Sequence, residues 1–219
     1  RYSHSDLNNT LCALEALYHS KRLVADSKTT DTKELDYAAA IHFLQNCQNL
    51  PTHNQQPWVS GDDANRGGFI YYPGNSMAGG VTNSATGRVA LRSYGSASYA
   101  GLLSYIYADL PASDARVTAV LDWLRANYTL EENPGMGQAG LFYYFHTIAK
   151  ALDALQIKEF EEASGKKHDW RTELTVHLLG LQKPNGSWVN AEKRWMEGDP
   201  NMATAYTLLT LTVLAPPGK

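Results

Sequence analysis

The run Leu178-Leu-Gly-Leu-Gln-Lys-Pro-Asn-Gly-Ser-Trp188 constrains this chain more than any other stretch of it. A leucine-rich helical segment stops there at a turn, and Gly186 supplies the positive φ that ends a helix without a Cβ clash. The Gln182 amide is suited to bond backbone groups left unpaired at the helix end, and the Trp188 indole to cover the start of the next helix. A Gln-x-x-x-Gly-x-Trp ending therefore predicts one helix following another across a reinforced turn.

Weaker copies of the same ending recur. Phe43-Leu44 is followed by Gln48, Trp123-Leu124 by Tyr128, and His177-Leu178 by Gln182. A second register is interleaved with the first: Ala13-Leu-Glu-Ala-Leu17, Gly101-Leu-Leu-Ser-Tyr105, Ala151-Leu-Asp-Ala-Leu155 and Thr207-Leu-Leu-Thr-Leu211 align with one another. Two interleaved repeats about 50 residues apart read as stacked helical hairpins. Apolar periodicity and stop signals predict helices over 6–24, 32–50, 94–110, 113–128, 141–155, 170–181 and 202–214. Asp6 and Ser113 are the expected caps, Leu7, Leu11, Leu14 and Leu17 the buried stripe of the first helix, and Pro51 the stop of the second. Phe69-Ile-Tyr-Tyr72 is the one short strand candidate. The expected class is all-α.

The Gln-x-x-x-Gly-x-Trp ending resembles the QW repeat of squalene–hopene cyclases and protein prenyltransferase β-subunits. Two further strings, Asn133-Pro-Gly-Met-Gly-Gln138 leading into Gly140-Leu-Phe-Tyr-Tyr-Phe-His146, and Arg194-Trp-Met-Glu-Gly-Asp-Pro200, are similar to bacterial prenyltransferase/squalene-oxidase repeat proteins of no assigned activity. The resemblance implies an α/α toroid, with 6–24, 94–110, 141–155 and 202–214 in an inner ring and the other helices outside. About seven helices make a partial barrel where such proteins usually close with six or so hairpins. The chain starts at Arg1 without Met, so a preceding segment that completes the barrel is one expectation and an open barrel the other. Residues 1–219 read as one domain, with the Gly-rich stretch 51–91 as an insertion. That stretch either folds over one mouth of the toroid or fills the place of a missing hairpin, anchored by Trp58, Phe69, Tyr71 and Tyr72.

The chemistry of these families is not carried over by the residues. A hopene-type cyclase needs an Asp-x-Asp-Asp acid kept protonated by its neighbours. The nearest string is Ser60-Gly-Asp62-Asp63, in the Gly-rich stretch, which leaves Asp62 as a weak candidate acid and a solvated turn carboxylate as the plainer reading. A prenyltransferase zinc needs an Asp two residues before a Cys and a distant His. Cys12 follows Thr10 and Cys47 follows Gln45, and His146-Thr147 alone is no site, so neither a metal nor a cofactor is expected. Both cysteines are expected to be small core residues.

Register suggests what faces the lumen. In 141–155 the apolar stripe is Leu141, Tyr144, Ile148, Leu152 and Leu155, which turns Phe142, His146, Lys150 and Asp153 the other way. The repeat places Asn8, Cys12 and Glu15, then Ser96, Ala100 and Leu103, then Met202, Tyr206 and Leu209 on equivalent positions. Glu15, His146, Lys150 and Asp153 are thus a candidate polar or acid–base cluster, against an ordinary charge pair on a solvated face. Tyr94, Tyr143, Tyr144 and Trp195 lie near inner-helix starts as candidate ligand contacts, with core packing as the alternative. Glu197 and Asp199 precede the last helix as candidate rim residues or helix caps. With 13 Tyr against 5 Phe, such a wall is wetter than a polyprene cavity.

A net charge of −3 with no Lys/Arg-rich block argues against a nucleic-acid partner. No apolar run approaches the roughly 18 residues of a membrane span, and no leader is visible; the compartment stays open, export from a bacterial cell included. Three functions remain: a toroid that binds a small isoprenoid-like ligand in its central cavity, with or without turnover; a non-catalytic interaction or scaffold domain; and a carbohydrate-active α/α barrel acting on a glycan through paired carboxylates.

Overall fold

The computed structural model describes residues 4–25 and 37–215. It is mostly helical. Among the described residues α1 spans Leu7–Ala25, α2 Tyr37–Gln45, α3 Gly95–Tyr107, α4 Ala115–Ala126, α5 Leu141–Ala154, α6 Trp170–Gly180 and α7 Pro200–Leu214. Carboxylates start most of them, because the first backbone N–H groups of a helix have no partner within it. The Asp6 side chain accepts from Asn9 N–H at 2.9 Å. Asp169 caps α6 and Asp199 caps α7, where Pro200 takes the first helical position. For α4 the expected cap shifts by one: Asp114, not Ser113, accepts from Arg116 N–H.

Helices α1, α3, α5 and α7 pack side by side in that order, with α2 and α4 against α3 and α6 against α7. The central α3 is buried almost throughout, which its many Gly, Ala and Ser residues permit. At Gly101 a Cβ would lie 2.5 Å from the Phe69 ring, so the close approach of the 51–91 stretch to α3 requires glycine there.

The second helix is shorter than expected. Its predicted first residues fall outside the described ones, and it ends at Gln45 instead of reaching 50. The cause is long-range pairing that outcompetes helical continuation. Asn49 N–H donates to Gly68 O and Gly67 N–H to Asn49 O, while Ile70 N–H reaches Cys47 O. The buried Gln48 amide donates to Gly67 O and Arg116 O, and its oxygen accepts from the Tyr105 hydroxyl. Asn49 is equally committed, to Leu91 O, Ser93 Oγ and Ser60 N–H. The 51–91 stretch is therefore pinned through its backbone, with Phe69 and Ile70 in the core.

Phe69–Tyr72 is not a strand; Phe69 makes an isolated bridge to Gln48 and Tyr72 one to Asn75. Strand pairing occurs instead in two short antiparallel hairpins, β1 (Gly80–Thr82) with β2 (Val89–Leu91), and β3 (Phe160–Glu161) with β4 (Lys167–His168). The Gln182–Trp188 turn is built from its own residues. Gln182 Nε2 donates to Gly186 O at 2.9 Å, Gly186 has φ 84°, and the buried Trp188 indole donates to Leu178 O at 2.7 Å. Trp188 N–H then reaches Thr204 Oγ1 in α7 at 3.0 Å. Cys47 is in the core, whereas Cys12 is exposed, which corrects the expectation that both are buried. Among the described residues no helix is long and apolar enough to cross a membrane.

Candidate functional site

The helix starts and the segments leading into them converge on a cavity of about 200 Å³. Asn8 comes from α1, Ser96 from α3 with Tyr94 just before it, Tyr143 from the first turn of α5, and Tyr206 from α7. Tyr71 and Met77 of the 51–91 stretch close one side, and Gly140, Trp195 and Glu197 another. Five of the expected ligand contacts, Tyr94, Tyr143, Trp195, Glu197 and Tyr206, are thus brought to one place. Phe142 is not on this face. It is buried against Phe145, whose ring meets His177 of α6, and Tyr143 takes its place towards the cavity.

Glu197 is only 1 % exposed, and each of its carboxylate oxygens accepts a hydrogen bond. Its Oε1 accepts from Tyr143 N–H at 2.9 Å and its Oε2 from Asn190 Nδ2 at 2.8 Å, while its carbonyl accepts from Asn190 N–H. The carboxylate therefore caps α5, the helix across the cavity, and compensates its positive end; the cap of α7 is Asp199. Tyr143 is held a second time, its hydroxyl donating to Asn8 Oδ1 at 3.0 Å. Its ring packs edge-on against Tyr206 at 5.7 Å. Burial raises the pKa of Tyr94, Tyr143 and Tyr206, so all three remain neutral phenols.

Trp195 and Met196 are consecutive non-glycine residues with φ of 55° and 65°. The Trp195 indole lies over Gly140, where a Cβ would come within 3.1 Å of the ring. Gly140 itself has φ 70°, so two independent demands select glycine there. Arg194 stacks over Trp195, its guanidinium carbon 4.3 Å from the ring centroid, and Arg194 Nη2 contacts Met77 Sδ at 3.7 Å.

One to three turns along from Tyr143, α5 carries the polar residues expected to face the lumen. Lys150 Nζ pairs with Glu15 of α1 at 2.5 Å, and Asp153 pairs with Arg171. His146 approaches Tyr206, ring centroids 6.1 Å apart. Burial, helped by the Lys150 cation and opposed by Glu15, lowers its pKa from 6.5 to about 4, and among the described residues its buried Nδ1 has no hydrogen-bond partner. It is a neutral imidazole at physiological pH. The remaining candidates lie elsewhere. Tyr144 is wholly in the core, packed on Tyr99 with its hydroxyl on Thr129 O at 2.9 Å. Asp62 sits in the 51–91 stretch, bonded to the Ser60 hydroxyl and to Asn65 Nδ2. Its burial works to raise the pKa, but these donors outweigh it and the pKa is lowered.

Sequence reasoning did not find Met77 or Asn190, and it named Tyr71 only as a loop anchor. Nothing local marks them; the unusual length of the 51–91 stretch was the available signal for the first and third. No protein-family model, no curated protein and no solved structure matches this chain.

Proposed function

We propose that this chain is a squalene cyclase/prenyltransferase-like α/α-toroid domain that binds a small ligand in the cavity at its helix starts. The side-by-side order α1–α3–α5–α7, with the intervening helices outside, supports the toroid. The observation that carries the binding role is the convergence of Tyr94, Tyr143, Trp195 and Tyr206, from distant parts of the chain, on one partly enclosed space. Sites for small ligands are concave, mostly apolar and aromatic, with a few fixed polar groups.

The carboxylates favour binding over turnover. Glu197, Glu15, Asp153 and Asp62 are each engaged by a hydrogen-bond or ionic partner. The lowered pKa of Asp62 is the reverse of what protonation of an alkene needs. Turnover of squalene that disappears in Asp62→Asn would refute this part. The binding role is tested by ligand-observed and indole NMR with a library of small polar and apolar fragments. Hits that shift the Trp195 indole signal are expected; a library that leaves Trp195 unmoved removes the reading. An interaction or scaffold role draws on a different observation, the exposed Val176, Leu179, Leu208 and Leu209 of α6 and α7.

A further inference from the structure

The chemistry of the cavity wall narrows the ligand. Among the described residues no Lys or Arg lines it, and its one carboxylate, Glu197, accepts from Tyr143 N–H and Asn190 Nδ2. A phosphate or carboxylate would lose its water there beside that buried carboxylate. Arg194 borders the cavity but is stacked on Trp195 and turned onto Met77. A neutral occupant needs no counter-charge from this wall.

The wall also offers hydrogen bonds. Tyr94, only 5 % exposed, and the half-buried Tyr206 both line the cavity. Phenol hydroxyls at the wall of a largely apolar pocket are the kind of fixed polar group that orients a ligand able to return hydrogen bonds. A polyprene chain returns none.

Trp195 adds a flat apolar face. It is 45 % exposed, although large aromatic side chains are usually well covered, and its backbone is left-handed at φ 55°, ψ 34°. A non-glycine residue held in that region costs about 1–3 kcal/mol, and such residues cluster at ligand clamps. The electron-rich face of an indole suits the polarised C–H face of a saturated ring. The space, about 200 Å³, is below the roughly 300–1,000 Å³ of pockets for drug-sized molecules, so it admits one ring.

We infer that the cavity takes a single neutral ring bearing hydroxyl groups, a pyranose stacked on Trp195 and hydrogen-bonded by Tyr94 and Tyr206. The inference rests on the reading of this cavity as a binding site. Two sources share that chemistry, a free monosaccharide and the terminal sugar of a glycan.

The full chain is titrated by calorimetry and tryptophan fluorescence with glucose, galactose, mannose, N-acetylglucosamine and their disaccharides, and separately with geraniol and farnesyl diphosphate. At least one sugar is expected to bind with a dissociation constant of about 1 mM or tighter. Trp195→Ala should weaken it about tenfold or more, with partial recovery in Trp195→Phe. Tyr94→Phe should weaken it roughly three- to tenfold with the melting temperature unchanged or raised. Disaccharides that bind more tightly than their monosaccharides identify a glycan end as the source. No sugar binding at about 10 mM, or binding indifferent to both Trp195→Ala and Tyr94→Phe, overturns the inference. Geraniol or farnesyl diphosphate binding in place of any sugar, and lost in Trp195→Ala, overturns it too while leaving the binding site standing.

Discussion

Glu197 and His146 show how single polar side chains are kept inside this protein by opposite means. Glu197 is held by donors: its carboxylate accepts from Tyr143 N–H at the start of α5 and from Asn190 Nδ2, and its carbonyl from Asn190 N–H. Truncation leaves Tyr143 N–H and Asn190 unpaired, so Glu197→Ala should cost about 2–4 kcal/mol by denaturant unfolding, and Glu197→Gln roughly half of that. His146 stays neutral because its surroundings penalise the imidazolium. With a folded pKa of about 4 against 6.5 when unfolded, the unfolded chain binds the extra proton first. Its contribution is therefore fully present above pH 6.5 and is lost as pH falls towards 4, by up to about 3 kcal/mol. His146→Gln should flatten stability against pH across that window; an unchanged slope would refute the assignment. Both residues stood out in the sequence, Glu197 as a rim carboxylate or a cap of the last helix and His146 as an acid–base candidate. The partners that decide their roles, Asn190 and Tyr143 for one, Lys150 and Glu15 for the other, lie up to most of the chain away.

At the scale of elements, the helices were legible wherever capping and apolar spacing act alone. The start of α5 at Leu141, the start of α6 at Trp170 and the end of α7 at Leu214 coincide with the sequence reading. α2 departed from it because Gln48 and Asn49 carry amides that bond several distant groups at once, which no local pattern encodes. The same dependence makes Gly101 sensitive. Gly101→Ala, favourable for an isolated helix, should instead destabilise by about 1–3 kcal/mol, because its methyl group would displace Phe69 and loosen the 51–91 stretch. Hydrogen exchange at Phe69 and Ile70 should quicken in step. In the Gln182–Trp188 turn, Trp188→Phe retains most of the apolar volume but removes the indole donor from Leu178 O, leaving it Leu181 N–H alone, a cost of about 1 kcal/mol in thermal unfolding.

Across the whole molecule, a helix's place in the row decides what its leucines do. Leu152 and Leu208 occupy matching places in the similar strings Ala151-Leu-Asp-Ala-Leu155 and Thr207-Leu-Leu-Thr-Leu211, yet Leu152 is 0 % exposed between neighbours and Leu208 is 53 % exposed at the α7 end. Leu152→Glu should prevent folding, whereas Leu208→Glu should alter stability by no more than about 0.5 kcal/mol, a contrast that circular dichroism melts would read directly. By itself the sequence determined the helical class, most helix limits and the Gln182–Trp188 turn, since periodicity, caps and turn glycines act over a few residues. It also singled out most of the aromatic residues that line the cavity. Only the tertiary structure decided that Tyr94, Tyr143, Trp195 and Tyr206 meet while Tyr144 and Lys150 do not, and that the 51–91 stretch supplies Tyr71 and Met77. One helical position separates Tyr143 from Tyr144, about 100° of rotation, and the side that faces the cavity is set by which distant segments pack on the helix.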